Sequence, residues 1–369
     1  MALALIAFFQ ICARLQLSRQ VPRGTVPWPP ITVLKPIKGA DDGLYDNLVA
    51  MAEQDYPCFE ILIAVADVDD PACVVVRRLQ RAYPQVAIRL VTGAPDLGLN
   101  PKVSNLAHAS RYAAHDCWLI SDADVRPEPG YLRAMADRLA SGAQLVHSVL
   151  GAAGERELGA ALDNATVAGF IASSVAAGEL LLDHPCVVGK SILFRRGDLE
   201  EVGGWSAFKD VLAEDYLMGQ RFKAAGKKVR LCSVPVGVHV ARRSVRAYVA
   251  RHLRWLQMRR CMAPAVFFAQ PLIYPLPPLV LVAFDRPLSA ALGVSLYLSL
   301  EVAMIRRIRG HIGPRLVAAL WLKDLVLLGA WIVAALRSDV VWRGRRMRIG
   351  PGTRLTKPEP APLPTLPWR

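Results

Sequence analysis

The chain has 369 residues, with 45 Lys and Arg against 31 Asp and Glu for a formal charge of +14, and 53% of it is hydrophobic; its mean hydropathy of +0.28 is high for a protein free in water. That length allows one large catalytic domain with extras or two modest domains, and the charge suits an anionic membrane surface or phosphorylated substrates. Nucleic acid is disfavoured as a partner, because the basic residues gather after Arg242 beside apolar segments and lack interleaved aromatics. The seven cysteines are scattered with no CxxC pair, which argues against a zinc site or disulfide framework and for a reducing cytosol around the catalytic part.

In chain order, the apolar opening "MALALIAFFQICA" would rise roughly 20 Å as a helix, short of a hydrocarbon core of about 30 Å. It reads as an interfacial helix, or as an anchor whose upstream part is missing, and with the Pro-rich "VPWPP" it sets residues 1–30 apart as anchor and linker. From residue 31 to about 240, short apolar runs alternate with amphipathic stretches. Strands are expected at 31–35, 59–66, 86–91, 117–122, 144–149 and 187–194, with helices near 44–54, 71–82 and 102–114. Such alternation gives βαβ units and an α/β domain over 31–262 with a mixed, mostly parallel sheet, whose ligands bind at the carboxyl ends of the strands.

After Cys261 the composition changes. Residues 263–283, 288–305 and 316–336 are long apolar stretches, so 263–340 reads as membrane or interfacial helices. Prolines in the first argue for a kinked, re-entrant or interfacial helix. Arginines from Arg242 to Arg260 precede it, and Arg306, Arg307, Arg309 and Arg315 follow the second stretch, which puts the main domain in the cytosol by the positive-inside rule. A third full span would carry the basic run 343–348 to the wrong side, so 316–336 is expected not to cross. Residues 341–369 form a basic, Pro-rich tail, left without structure at its end.

Five motifs carry chemistry. In "CWLISDADVRPEPGYL" a buried strand runs into Asp122 and Asp124, and alternate residues at a strand end point the same way. The pair can hold one hard cation against a diphosphate, or form a solvated turn. In "VADVDDP" the acids follow an apolar strand and either serve a site or cap a helix. Lys102 in "LGLNPKVSNL" stands in the first turn of a helix, unfavourable for the dipole unless an anion binds there. Glu214 and Asp215 open a helix in "VLAEDYLMG", where acids are also at home for dipole reasons alone. Arg251, Arg254 and Trp255 in "RHLRW" share one helix face, fit for a phosphate or sugar or else a basic collar before the membrane. Gly189 and Lys190 in "VVGKS" either approach a substrate or end a strand, and His147, His184 and His239 stand alone and read as structural.

Together with "LKPIKGADDGLYDNL", "VVGKSILFRRGDLEEVGGW" and "LVHSV", the order and spacing of these motifs resemble the ceramide glucosyltransferase family of inverting GT-A glycosyltransferases over residues 31–265. The resemblance implies a GT-A nucleotide-sugar-binding domain with C-terminal membrane helices. It implies transfer of a hexose, glucose first, from a UDP-sugar donor to a membrane lipid acceptor, ceramide first. Hopanoid-lipid glycosyltransferases are similar, less closely, and a processive polysaccharide synthase would need more membrane helices. By matching motif, Asp70 would sit near the nucleoside with Pro36, and Asp122 and Asp124 would hold Mg²⁺ or Mn²⁺ against the diphosphate. Lys102 would add charge compensation, Asp215 would be the general base, and Arg251, Arg254 and Trp255 would stabilise the leaving UDP. Which of Asp122 and Asp124 touches the metal is left open.

Overall fold

The computed structural model describes residues 2–19, 27–41, 43–342 and 345–357. Strands β1 (Ile31–Ile37), β2 (Phe59–Val65), β3 (Ala87–Thr92), β4 (Cys117–Ser121), β5 (Leu145–Ala153), β6 (Ser191–Arg195) and β7 (Val229–His239) form one seven-stranded sheet in the order β3-β2-β1-β4-β6-β5-β7. Every neighbouring pair is parallel except those of β6, which runs antiparallel to β4 and β5. The central strands are apolar and buried on both faces, as a sheet covered by helices requires. Because β6 is reversed, its amino end lies at the same edge as the carboxyl end of β4, where Ser121 pairs with Ser191.

Helices α1 (Ala2–Ser18), α2 (Leu44–Ala52), α3 (Ala72–Ala82), α4 (Pro101–Ser110), α5 (Tyr131–Ala140), α6 (Leu158–Ala165), α7 (Ala172–Leu182), α8 (Arg196–Glu201) and α9 (Glu214–Ala224) accompany the sheet. One face carries the core shared with α2, α3 and α5, and the other packs Val103, Leu106, Met218 and Phe222 of α4 and α9 against Trp118 and Phe194. Beyond the first core lies a third layer built from α1, α6, α7 and three later helices.

Then follow α10 (Val245–Met262), α11 (Pro264–Ala269), α12 (Leu276–Ala283), α13 (Pro287–Arg309) and α14 (Pro314–Leu336). Among the described residues, four helical stretches, 158–182, 264–283, 287–309 and 314–336, are long and apolar enough to cross a membrane. The first was not foreseen. Asp163, Asn164 and Glu179 break its hydropathy, and it is the most internal of the four. A π-helical turn at Thr166–Ile171 joins α6 to α7, and α13 approaches it so closely that a Cβ on Gly169 would come within 2.7 Å of a Glu301 carboxylate oxygen. The N-terminal helix extends past its apolar opening to Ser18, because Ala13 and Leu17 still face the third layer. Both ends of α14 are fastened to the body of the molecule. Leu316 is buried with residues of α6, and at the other end Arg260 of α10 donates to the Ala335 and Arg337 carbonyls.

Two further expectations need correction. The strand expected at 187–194 begins at Ser191, since 187–190 is a loop, and β7 was missed. Part of the expected tail is ordered: β8 (Asp339–Trp342), β9 (Arg345–Ile349) and β10 (Leu355–Thr356) make a small antiparallel sheet. Residues 358–369, expected to lack structure, lie outside the described residues. This small sheet buries Val340, Met347, Ile349 and Leu355 on Leu212. Thr353, fully buried with a left-handed φ of 59°, accepts from the Leu212 amide through its carbonyl (3.0 Å) and from the Ala213 amide through its hydroxyl (3.2 Å). Leu355 in turn donates to the Asp210 carbonyl at 2.7 Å. The C-terminal segment thereby straps down the loop that leads into α9.

Candidate active site

A cleft of about 720 Å³ opens at the carboxyl edge of the sheet. Pro36, Lys102, Asp122, Asp124, Asp215, Arg251, Arg254 and Trp255 all line it. The turn after β4 is fixed through its backbone. The Asp122 carbonyl accepts from the Lys35 ammonium (2.8 Å), the Ala123 carbonyl from Asn47 (3.1 Å) and the Asp124 carbonyl from the His239 amide (2.9 Å). With its main chain held on three sides, the turn presents both carboxylates to the cleft, 27% and 31% exposed. Lys35, missed in the sequence, is the fully buried lysine of a central strand; burial lowers its ammonium to about 8 against the pull of Asp122 and Asp124. A lone lysine inside the apolar run "ITVLKPI" was the available signal.

Two lysines meet these acids. Lys190 reaches Asp124 at 2.5 and 2.6 Å and Asp122 at 3.6 Å, so the two carboxylates converge on one cation position. Lys102 pairs with Asp122 (3.0 Å) and Glu214 (3.0 Å) and donates to the Gly189 carbonyl (2.9 Å). The anion expected beside Lys102 is therefore supplied by the protein's own acids. Burial works against its charge, yet Asp122, Glu214 and Asp215 outweigh it and hold the ammonium above the ordinary lysine value. The side chain of Asn100 caps α4 by accepting from the Lys102 and Val103 amides, which fixes where this lysine starts.

Asp215 sits in the first turn of α9. Its carboxylate accepts from the Gly189 amide at 2.5 Å and from the Tyr216 amide at 2.8 Å. A Cβ at position 189 would lie 2.6 Å from that carboxylate, so the approach needs glycine. Burial, then the adjacent Glu214 charge, push the Asp215 carboxyl up to about 7, against the opposing effect of Lys102.

Across the cleft, α10 displays Arg251, Arg254 and Trp255 on one face, with the Arg251 guanidinium 4.3 Å from the Trp255 ring centre. Arg251 is backed by Asp163 of α6 at 3.5 Å; the same buried carboxylate pairs with Arg243 and with His252 at 2.7 Å. Asp163 was not singled out, because in sequence it is one acid in an apolar helix.

Asp70 is not brought to the cleft wall. Its carboxylate accepts from the Gly39 amide (2.9 and 3.0 Å) and the Ala72 amide (2.8 Å), holding the turn after β1 from behind and opening α3. Gly39 itself lines the cleft. Of the three lone histidines, His147 is buried against Glu179 (3.4 Å) and His184 lies 3.2 Å from the Tyr216 hydroxyl, whereas His239 lines the cleft.

The chain is 26% identical to ceramide glucosyltransferase 3 of Caenorhabditis elegans over 347 residues, covering 90% of this chain and 75% of that one. It is 32% identical to the ceramide glucosyltransferase of Komagataella phaffii over 227 residues, 53% of this chain and 43% of that one. A mannosyltransferase from Pyrobaculum calidifontis, solved in complex with GDP-Man and Mn²⁺, superposes with a TM-score of 0.54 at 20% identity, covering 90% of this chain and 95% of that one. That likeness speaks for the fold, a GT-A α/β domain, as the motifs led one to expect. The family model described as glycosyl transferase family 21 matches residues 1–355, and the chain belongs to that family.

Proposed function

We propose that the protein is a membrane-bound, inverting hexosyltransferase that moves glucose from UDP-glucose to a hydroxyl of ceramide. The observation that carries the reading is the juxtaposition of a half-buried carboxylate, Asp215, held by the Gly189 amide, and a cationic, aromatic face, Arg251 with Trp255, in one cleft. The relatives' names favour ceramide over a hopanoid or a growing polysaccharide as acceptor.

In this mechanism the lipid hydroxyl attacks the anomeric carbon. The new C–O bond forms as the bond to the UDP oxygen breaks, the hydroxyl proton passes to Asp215, and UDP departs with the bonding electron pair. A base and a leaving group on opposite faces of the sugar give direct displacement with inversion. Arg251 and Arg254 meet the charge that grows on the diphosphate, and Asp163 fixes Arg251 from behind. Asp70 acts through Gly39, shaping the turn beside the nucleoside, with Pro36 on the same wall.

The donor chemistry of Asp122 and Asp124 fits a hard divalent ion, Mg²⁺ or Mn²⁺: two carboxylates converge on one cation position, and diphosphate and water oxygens would complete its shell. Such an ion supplies charge neutralisation to the leaving diphosphate. For the membrane, 314–336 is read as lying along the interface, since both of its ends are fastened to the catalytic body, and the basic segments around 242–260 and 306–315 support a cytosolic side for the catalytic domain.

The test is to incubate membranes carrying the protein with labelled UDP-glucose, UDP-galactose and UDP-N-acetylglucosamine, and to identify lipid products by mass spectrometry. Glucosylceramide from UDP-glucose is the expected product; label in a hopanoid or a polymer would overturn the acceptor assignment, and label from another donor the sugar.

A further inference from the structure

Lys190 belongs to neither the base nor the arginine face, yet it occupies the point on which Asp122 and Asp124 converge. Its reach is set by structure. The Asp122 amide donates to the Lys190 carbonyl at 3.1 Å, tying the start of β6 to the end of β4. From that anchor the ammonium bonds both Asp124 oxygens and faces Asp122, while its stem is nearly buried. Lys102 neutralises the second acid from the opposite side. Asp122, Asp124 and Glu214 against the Lys190, Lys102 and Lys35 ammonium groups leave little net negative charge to attract a free divalent ion, and an entering ion must first displace an ammonium from a short pair.

A nucleoside diphosphate changes the balance. It brings several anionic oxygens, so a displaced Lys190 ammonium finds a new partner within the same cleft and the carboxylates are freed. The geometry points to Lys190 as an internal counter-cation that occupies the Asp122–Asp124 pair in the donor-free enzyme and gives way only when nucleotide arrives, making divalent-ion binding conditional on nucleotide binding. The inference rests on the UDP-sugar reading above. It requires reciprocal coupling, with UDP tightening the ion and the ion tightening UDP by the same factor.

The measurement is direct Mn²⁺ binding by the full chain in detergent, by electron paramagnetic resonance, with and without UDP, for wild type, Lys190→Met and Lys190→Arg. Wild type should bind Mn²⁺ at least about tenfold more tightly with UDP present than without it. Lys190→Met should bind Mn²⁺ without UDP about tenfold or more tightly than wild type, with the UDP effect reduced, because the competing ammonium is gone. Lys190→Arg, which keeps the charge, should stay near wild type. Equal UDP-free Mn²⁺ affinity in wild type and Lys190→Met overturns the inference. If Lys190→Met does not fold, Lys190→Gln is measured in its place by the same criterion, and wild-type Mn²⁺ affinity indifferent to UDP overturns the inference with either variant. Failure to bind UDP at all would instead count against the proposed function.

Discussion

Two clusters in this molecule share a chemistry and differ in access. In the cleft, Lys190 stands between Asp122 and Asp124, whose side chains are about a third exposed. In the third layer, Lys323 stands between Glu301 (3.2 Å) and Asp324 (2.9 Å), donates to the Tyr297 hydroxyl (2.6 Å), and all three ions are at most 4% exposed. Gln10 of α1 closes that second cluster by donating to Glu301 at 3.0 Å. The same lysine-between-acids arrangement is exchangeable where it faces a cleft and a fixed fastening between α1, α13 and α14 where it does not. Composition therefore does not separate a site from a staple; a route for a ligand does.

The contrast can be broken from either side. Asp215→Asn should lower turnover by about a thousandfold with the melting temperature unchanged, because a general base is lost while the amide oxygen still accepts from Gly189; retention of full turnover contradicts the base assignment. Lys323→Met should do the reverse. Leaving Glu301 and Asp324 buried without their cation is expected to cost about 3 kcal/mol of stability in a detergent unfolding titration, with turnover per folded molecule preserved. Loss of turnover without loss of stability would show that the inner cluster is not a mere fastening.

A smaller effect concerns pH. Since Asp215 must be deprotonated to accept a proton and its carboxyl is raised to about 7, activity should fall about tenfold per unit below that pH and level off above it. Lys102 favours the charged form of Asp215, so Lys102→Met should move the midpoint upward; a downward or absent shift contradicts the coupling. Smallest of all, Thr353→Val removes one acceptor for the Ala213 amide and should reduce turnover by roughly fivefold, about the worth of one hydrogen bond, with Thr353→Ser restoring it.

Strands β1 to β5 were legible because each is a short apolar run closed by acids or glycine, and Asp122 and Asp124 stood out just past the end of one of them. What escaped did so for physical reasons. Strand β7 contains Pro235 and Gly237, which a central strand would not tolerate but an edge strand does, and its pairing with β5 is irregular near Ser148 and Leu150. Helices α6 and α7 carry Asp163 and Glu179, which read as polar breaks until Arg243, Arg251 and His147 are found beside them in space. In β9, arginines alternate with the buried Met347 and Ile349, and the basic residues masked a pattern of period two. Asp70 was identified as important, but its distance from the cleft wall depends on Gly39, which no spacing in the sequence announces.

The strap formed by Thr353 and Leu355 has a consequence for shortened chains. The loop at 210–213 that leads into Asp215 is fastened by residues made some 140 positions later in the chain. The strands β1 to β7 and the lysine–carboxylate pairs of the cleft are all encoded upstream of that strap. The loop before the proposed base, Asp215, gains these fastenings only when residues 353–355 are in place. A chain ending before Thr353 should therefore keep its sheet while the loop before Asp215 is held less firmly, with a loss of turnover of the same modest order as Thr353→Val.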